Sequence, residues 1–303
     1  MHYSRRSFIR QSGLALAAAS ILPGQLLAAT QAKETLGIQL YSVRDDMKKD
    51  PAGTLAKLAG MGYKHVEHAN YVDHKFYGYT PAEFKKLLGG LGLKMPSGHT
   101  RMNADHWDAG KKDFTDDWKK TVDDAAFMGQ QYVISPWLED SLRKSYDDLV
   151  RYMEVFNKSG ELCKKSGMKF GYHNHDFEFS VKLNDTTVFD IILNNTDPAL
   201  VMQQLDIGNM YNAGAKALDM VNKYPGRFIS MHVKDEIKSS SQHEPYESTI
   251  LGKGILPVKE IIDLGRKSGG TTLFIIEQES YQGLSPLDCA SQDLKVMKAW
   301  GYK

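Results

Sequence analysis

The chain has 303 residues with a formal net charge of +1, and 42% of its residues are hydrophobic and 25% charged. This composition is typical of a folded globular protein and excludes extended disorder beyond the termini. The nearly balanced charge argues against a nucleic-acid-binding surface, and the length fits either one large α/β barrel or two ordinary domains.

The first 29 residues have the three parts of an export signal. The adjacent arginines Arg5 and Arg6 precede an Ala-rich apolar stretch that ends before Pro23, and small residues follow up to Ala29. The pattern resembles a twin-arginine signal, so we expect cleavage near residues 29–32 and a periplasmic protein. The alternative, a membrane anchor, needs roughly 18 uninterrupted apolar residues, so no stable membrane insertion of the mature chain is expected.

Loss of this segment removes three arginines and no acidic residue, which leaves 35 basic against 37 acidic residues and a net charge of −2. We therefore expect no nucleic-acid partner. The two cysteines, Cys163 and Cys289, lie in separate helix-like segments with apolar flanks. They are predicted to be small buried hydrophobes rather than a disulfide pair. The sequence is compatible with a homo-oligomer and does not determine the oligomeric state.

Strand-like and helix-like segments alternate from Leu36 onward. The predicted strands are 36–41, 63–67, 93–97, 132–134, 169–173, 201–205, 228–233 and 272–276. The predicted helices are 51–61, 81–88, 116–128, 145–165, 188–193, 217–222, 258–267 and 287–300. Eight strand-helix units over about 265 residues predict a (β/α)8 TIM barrel, a single domain spanning residues 33–303. A doubly wound sheet usually has a G-x-G-x-x-G turn after its first strand, and none follows here.

The fifth predicted strand ends in a cluster of side chains that can bind a metal ion or a substrate: His173, Asn174, His175, Asp176 and Glu178. An apolar run that changes abruptly to such residues indicates the carboxyl end of a buried strand entering a polar site. His173 and His175 are two residues apart, so on a strand they share one face. A ligand or catalytic role is favoured over a hydrogen-bonded histidine pair at a solvent-facing strand edge.

Polar side chains also stand at the ends of the other predicted strands, and in a barrel these ends converge on one site. In chain order they include Tyr41, Arg44, Glu67, His68, His99, Trp137, Asp206, His232, Lys234 and Glu277. Strands five to eight offer four candidate metal ligands: His173 or His175, Asp206, His232 and Glu277. Mixed nitrogen and oxygen donors suit Zn²⁺, Mn²⁺, Fe²⁺ or Co²⁺ better than Ca²⁺.

Each candidate ligand also has a structural alternative. Asp206 could cap a helix that begins before Gly208. His232 could be a hydrogen-bonded core histidine, and Glu277 could form a salt bridge with Lys234 or Arg44. A metal site is favoured, because it would be excluded only if all of these structural alternatives were true at once.

Five segments together resemble the xylose isomerase-like TIM barrels of the sugar phosphate isomerase/epimerase group. They are GIQLYSVR at 37–44, YHNHDFEF at 172–179, LDIGN at 205–209, MHVKD at 231–235 and IIEQE at 275–279. The resemblance covers the whole mature chain and implies one divalent metal ion (Mn, Zn, Co, Fe or Mg) held by side chains from strands five to eight. Asp206, His232 and Glu277 match the last three ligands of the family. His173 stands where many members have a glutamate, and His175 could compete with it.

The resemblance implies a shared chemical step. A metal that chelates a carbonyl and a neighbouring hydroxyl acidifies the α-hydrogen and holds the resulting enediolate. We expect a sugar isomerase or epimerase acting on an unphosphorylated sugar or keto-sugar. The alternatives are a dehydratase or lyase, as in inosose dehydratase-like and 3-keto-glycoside-cleaving enzymes, and a non-catalytic carbohydrate-binding barrel. An abasic-site endonuclease shares this barrel but would need a basic groove.

The resemblance also suggests roles for the remaining residues. The base is expected to be Glu277 or His175. His99, Lys234 and Arg44 are expected to bind substrate hydroxyls or to balance charge. Trp137 and Tyr41 are expected to stack on a face of the sugar, and the alternative for these two aromatic residues is packing at the rim of the barrel. The sequence Gly252-Lys253-Gly254 is interpreted as a turn rather than a phosphate site.

Overall fold

Eight parallel strands form a closed barrel in the structure, a computed structural model that describes residues 34–240 and 245–303. The predicted export signal lies outside the described residues. The strands are β1 (Thr35–Gln39), β2 (His65–His68), β3 (Lys94–His99), β4 (Tyr132–Ser135), β5 (Lys169–His173), β6 (Val201–Asp206), β7 (Ser230–Val233) and β8 (Leu273–Ile276). Each strand pairs with its neighbours in sequence, and β1 pairs with β8, so the sheet has no free edge.

Buried apolar side chains explain why these segments form barrel strands. The segment Leu273–Ile276 is buried at every residue, as expected of a parallel strand covered on both faces. At the seam between β1 and β8, Gly37 pairs with Ile275. A Cβ atom on Gly37 would lie 2.8 Å from Ile275 Cδ1, so glycine allows the close approach that completes the barrel.

Eight outer helices follow the strands in turn. They are α1 (Pro51–Met61), α2 (Pro81–Gly90), α3 (Asp116–Met128), α4 (Tyr146–Lys165), α5 (Val188–Asn195), α6 (Ala217–Lys223), α7 (Val258–Leu264) and α8 (Pro286–Ala299). Their caps explain the predicted boundaries: Thr80 and Glu83 form a capping box for α2, and Gly62 ends α1 in a left-handed conformation. The predicted (β/α)8 fold is therefore confirmed.

Shorter elements decorate the loops that follow the strands. Helical segments lie at Leu40–Val43, Arg44–Lys49, Ala104–His106, Asp140–Arg143, Phe177–Ser180 and Ile207–Asn212. Two-stranded ribbons pair Tyr71–Val72 with Lys75–Phe76, Trp107–Asp108 with Asp113–Phe114, Lys182–Leu183 with Thr186–Thr187, and Asp235–Lys238 with Tyr246–Thr249. These elements build the walls above the carboxyl ends of the strands.

Boundaries differ from the predictions where local geometry intervenes. Helix α7 ends at Leu264 instead of residue 267, because Gly265–Gly269 forms a π turn. Cys163 and Cys289 are both buried and unpaired, as predicted. Within the described residues, the helices are all too short or too polar to cross a membrane.

Candidate active site

The carboxyl ends of the strands open into a cavity of about 680 Å³. Its lining includes Tyr41, His99, His173, His175, Lys234 and Glu277, all of which the sequence predicts as site residues. Four further acidic residues lie in its wall, namely Asp176, Glu236, Glu247 and Glu279. The cavity therefore lies where a TIM barrel places function.

The four predicted metal ligands meet near the floor of this cavity. Asp206 Oδ2 lies 3.8 Å from His173 Nε2 and 3.7 Å from His232 Nδ1. His232 Nδ1 lies 2.8 Å from Glu277 Oε2. One ligand atom each from Asp206, His232 and Glu277 falls within 4.8 Å of the others. All four side chains are buried.

Asp206 forms the helix cap that the sequence offered as the alternative to a metal ligand. Its Oδ1 atom accepts hydrogen bonds from the main-chain amides of Gly208 (3.0 Å) and Asn209 (2.7 Å), which caps the helix Ile207–Asn212. Its Oδ2 atom is buried and accepts no hydrogen bond of normal geometry within the described residues. The cap fixes the side chain, and the second oxygen stays available to a cation.

His232 bridges two carboxylates. Its Nδ1 atom faces Glu277 Oε2, and its Nε2 atom lies 2.6 Å from Glu67 Oε1. Burial alone would lower the pKa of His232, but Glu277 and Glu67 raise it well above its usual value. Burial would likewise raise the pKa of Glu277, but Lys234 and His232 hold it well below the usual range.

Glu67 stands among the polar strand ends that the sequence singled out, but the sequence reasoning gave it no role in the site. Its Oε1 atom accepts from Gln39 Nε2 at 2.9 Å and its Oε2 atom from Gln204 Nε2 at 2.9 Å, and the Ser97 hydroxyl also donates to it. Burial would raise the pKa of Glu67, but the charges of His99 and His232 and the hydrogen bonds from His232 and Ser97 lower it to about 2. Its place at the end of the predicted strand 63–67, next to His68, was the available signal.

Gln204 orients two more histidines. Its Oε1 atom lies 2.7 Å from His99 Nε2 and 3.1 Å from His173 Nδ1, and its Nε2 atom also donates to Ser230 Oγ. Because an amide oxygen only accepts, His173 carries its proton on Nδ1 and presents a lone pair on Nε2 toward Asp206.

The donor set fits a divalent metal ion. It combines two carboxylates with two imidazoles, which suits zinc, manganese, cobalt or iron. Each imidazole is held from behind, His173 by Gln204 and His232 by Glu67, as is usual for metal-binding histidines. Asp206 Oδ2 also faces this place; within the described residues it has no hydrogen bond of normal geometry, and its cationic neighbour is Lys234 Nζ at 3.0 Å.

His175 stands apart from this group. Its main-chain amide donates to Glu178 Oε2 at 2.8 Å, and the Tyr172 hydroxyl donates to the other oxygen of Glu178. Burial lowers the pKa of His175 to about 4, and its Nδ1 atom has no hydrogen-bond partner in the described part of the chain. Trp137 packs edge-on against its ring at 5.3 Å. The position of His175 is thus set by a buried carboxyl group and an aromatic ring.

The predicted substrate-binding residues divide into two sets. Tyr41, His99 and Lys234 line the cavity, and Tyr41 is 44% exposed. Arg44 lines a neighbouring cavity of about 610 Å³, and its guanidinium donates to Tyr281 Oη at 2.8 Å and to the carbonyl of Glu279 at 3.1 Å. Trp137 contacts His175 rather than the cavity.

The loop after β7 is organised by Asp235. Its carboxylate accepts from the amides of Gly252 and Gly254, each at 2.9 Å, and of Leu256 at 3.1 Å. The interpretation of Gly252-Lys253-Gly254 as a turn is confirmed, since its amides already have a carboxylate partner. The next residue, Glu236, is buried in the cavity wall, and burial raises its pKa to about 8.

Known proteins are similar to this chain over different spans. An inosose dehydratase of Clostridium perfringens is 35% identical over 82 residues, which cover 27% of each chain. The chain spans 26% to 51% of the length of these curated relatives. All of the relatives that we compare are inosose dehydratases by name.

Two solved structures match nearly the whole chain. A sugar phosphate isomerase/epimerase from Parabacteroides distasonis ATCC 8503 superposes with a TM-score of 0.74 and 24% identity over 92% of this chain and 98% of that chain. The IolI protein with a bound zinc atom gives a TM-score of 0.67 and 11% identity over 89% and 99%. At these identities the likeness concerns the fold alone. Residues 55–300 match the xylose isomerase-like TIM barrel family, and the chain belongs to that family.

Proposed function

We propose that the chain is a divalent-metal-dependent enzyme that removes the proton next to the carbonyl group of an unphosphorylated sugar, keto-sugar or cyclic polyhydroxy ketone. The observation that carries this proposal is the convergence of His173 Nε2, Asp206 Oδ2, His232 Nδ1 and Glu277 Oε2 below an open polar cavity. These four residues would hold the ion. Zinc is supported by the zinc-bound IolI structure, and manganese, cobalt, iron or magnesium remain candidates.

When bound, the ion would polarise the substrate carbonyl and offset the negative charge that develops on its oxygen. The chain's own residues would remove the proton and bind the substrate. His175 lines the cavity, and its Nδ1 atom has no hydrogen-bond partner among the described residues, so it is our choice for the base, with Glu277 as the alternative. Tyr41 offers an exposed ring for stacking on the sugar, and His99 and Lys234 offer donors to its hydroxyls.

Elimination is the outcome we favour, which makes the chain a dehydratase or lyase. Proton removal is followed by reformation of the carbonyl and departure of a hydroxyl or alkoxy group from the next carbon, and the leaving oxygen takes up a proton. One base and one acid suffice for this reaction. The carboxylate that a symmetric epimerase would have on strand five is replaced by His173, and the inosose dehydratase relatives support the same choice.

Isomerisation or epimerisation, the first expectation from the sequence, is the second candidate. Glu277 follows β8 and His175 follows β5, so the two groups approach the cavity from different strands. Two groups on different sides of a substrate can remove a proton from one face and return it to the other.

An unphosphorylated substrate is proposed on two grounds. The amides of Gly252 and Gly254 donate to Asp235 and are not available to a phosphate. An exported enzyme would also meet few sugar phosphates, and we propose export to the periplasm from the twin-arginine pattern at residues 1–29.

Nuclear magnetic resonance in deuterated water tests the proposal. The purified chain, stripped with EDTA and reloaded with Zn²⁺, Mn²⁺ or Co²⁺, is incubated with inososes, keto-sugars and 3-keto-glycosides. For elimination we expect ion-dependent loss of the α-hydrogen signal together with release of water or an aglycone, and for isomerisation ion-dependent deuterium uptake at the α-carbon without such release. Ligand binding with neither deuterium uptake nor a released group would instead identify a non-catalytic carbohydrate-binding barrel.

A further inference from the structure

Lys234 places a positive charge inside the group of candidate ion ligands. Its side chain is 1% exposed, and its Nζ atom lies 3.0 Å from Asp206 Oδ2 and 2.9 Å from Glu277 Oε2. The same two oxygens face His232 Nδ1. The ammonium group and a divalent ion therefore depend on the same carboxylate atoms.

The ammonium and the ion cannot both keep these contacts. A divalent ion such as zinc binds carboxylate oxygens at about 2.0–2.2 Å. Two cations that share the same oxygens repel each other, and the repulsion is strong because the site is buried and of low dielectric. Ion binding therefore requires Lys234 Nζ to withdraw from Asp206 and Glu277.

Two further oxygens provide a second position for the ammonium. Lys234 Nζ lies 2.8 Å from Glu279 Oε1 and 3.2 Å from Asn209 Oδ1, and both residues line the cavity outside the four candidate ligands. Gly208 leaves room for the lysine stem, since a Cβ atom there would lie 2.9 Å from both Lys234 Cβ and Lys234 Cδ. A divalent ion would bind the oxygens of Asp206 and Glu277, and the Lys234 ammonium would stay with the oxygens of Glu279 and Asn209.

We infer that Lys234 is a tethered internal cation that competes with the divalent ion for Asp206 and Glu277 and, once displaced, is retained by Glu279 and Asn209 at the cavity wall. The inference rests on the proposed function, because it concerns the same ion. Lys234 is in this view a positioning residue that sets the affinity of the site for the ion and delivers its ammonium group to the substrate cavity only after the ion has bound.

Cobalt titration of the full chain after EDTA treatment tests this inference. Affinity is measured by calorimetry, and the visible absorption bands of bound Co²⁺ report the ligands. Lys234→Met keeps the length of the side chain without its charge, and Lys216→Met at an exposed position is the matched control. We expect Lys234→Met to bind Co²⁺ at least tenfold more tightly than the wild type, and Lys216→Met to bind like the wild type. A merely structural role for Lys234 would lower stability without raising the affinity.

A second pair of variants guards against misfolding of Lys234→Met. Glu279→Gln removes the outer anchor, so the lysine should stay in the ion site and Co²⁺ affinity should fall. In a Lys234→Gln background the same Glu279→Gln change should have no effect, because no ammonium remains to be anchored. Equal weakening in both backgrounds would reflect the lost charge alone and would overturn the inference.

The outcomes separate this inference from the proposed function. Equal Co²⁺ affinity in the wild type and in Lys234→Met would contradict the role of Lys234 and leave the metal site intact. Tight Co²⁺ binding by Lys234→Met but not by the wild type would support both the metal site and the role of Lys234. The absence of Co²⁺ binding in both proteins would overturn the metal-dependent function and the role of Lys234 with it.

Discussion

Glu67 Oε1 lies 2.6 Å from His232 Nε2, so the imidazole turns its Nδ1 atom toward Glu277 and Asp206. This contact joins β2 to β7 across the interior of the barrel. A carboxylate behind a metal-binding histidine fixes the orientation of the ring and makes its free nitrogen a stronger donor. Glu67 therefore belongs to the site although it lies below the cavity.

Replacement of Glu67 by glutamine should weaken ion binding about 10- to 100-fold, the usual cost of losing such a partner. Ser97→Ala removes a hydrogen bond to the other oxygen of Glu67 and serves as the matched control, with a smaller expected effect. Calorimetric titration with Zn²⁺ or Co²⁺ measures both. Equal affinities of the wild type and Glu67→Gln would show that the carboxylate does not support His232.

The two histidines of strand five should behave differently. His173 Nε2 faces Asp206, whereas His175 is held apart by Glu178. We expect His173→Ala to lower Co²⁺ affinity at least tenfold, and His175→Ala to leave it within about twofold while abolishing α-proton exchange. The same titration and a deuterium-exchange assay distinguish them. The reverse pattern would make His175 the ligand.

Asp235 should be essential for the loop after β7. Asp235→Ala leaves the amides of Gly252, Gly254 and Leu256 without their acceptor, at roughly 1 kcal/mol or more for each unpaired donor. We expect the free energy of unfolding in urea to fall by about 3 kcal/mol. Asp123→Ala, at an exposed position on α3, should change it by less than about 0.5 kcal/mol. Similar values for the two variants would contradict this role.

Asp293 should make stability depend on pH. It is buried on α8, and burial, reinforced by the charge of Asp235, raises its pKa from 3.8 to about 7. The folded state therefore favours the neutral acid, and this contribution is lost as the pH rises from about 4 to 7, at about 1.4 kcal/mol per pH unit.

Asp293→Asn mimics the neutral acid, so it should gain on the wild type as the pH rises. Urea denaturation at pH 5 and pH 8 measures this difference, which we expect to widen by a few kcal/mol. Parallel stability curves would show that Asp293 is ionised in the folded protein.

The sequence was sufficient for the barrel and for the ring of strand ends. Strands such as β8 are apolar runs followed by polar residues, and such a pattern depends only on local sequence. The outer helices could be placed because signals such as the capping box of Thr80 and Glu83 are also local.

The contacts within the site were less predictable. Glu67, Gln204 and Gln39 meet only because the closed barrel brings β1, β2 and β6 to one interior layer. The sequence likewise placed Arg44 at the cavity, but its guanidinium is engaged by Tyr281 and Glu279, which follow β8. Partners such as these, from 28 to 237 residues apart in the chain, are set by tertiary packing.

A crystal structure of the Co²⁺-loaded protein, with the ion located by anomalous scattering, tests the central claim most directly. The account predicts one ion within about 2.0–2.3 Å of His173 Nε2, Asp206 Oδ2, His232 Nδ1 and Glu277 Oε2, with Lys234 Nζ moved toward Glu279. An ion bound elsewhere, or Lys234 still in contact with Asp206 and Glu277 at saturating Co²⁺, would contradict it.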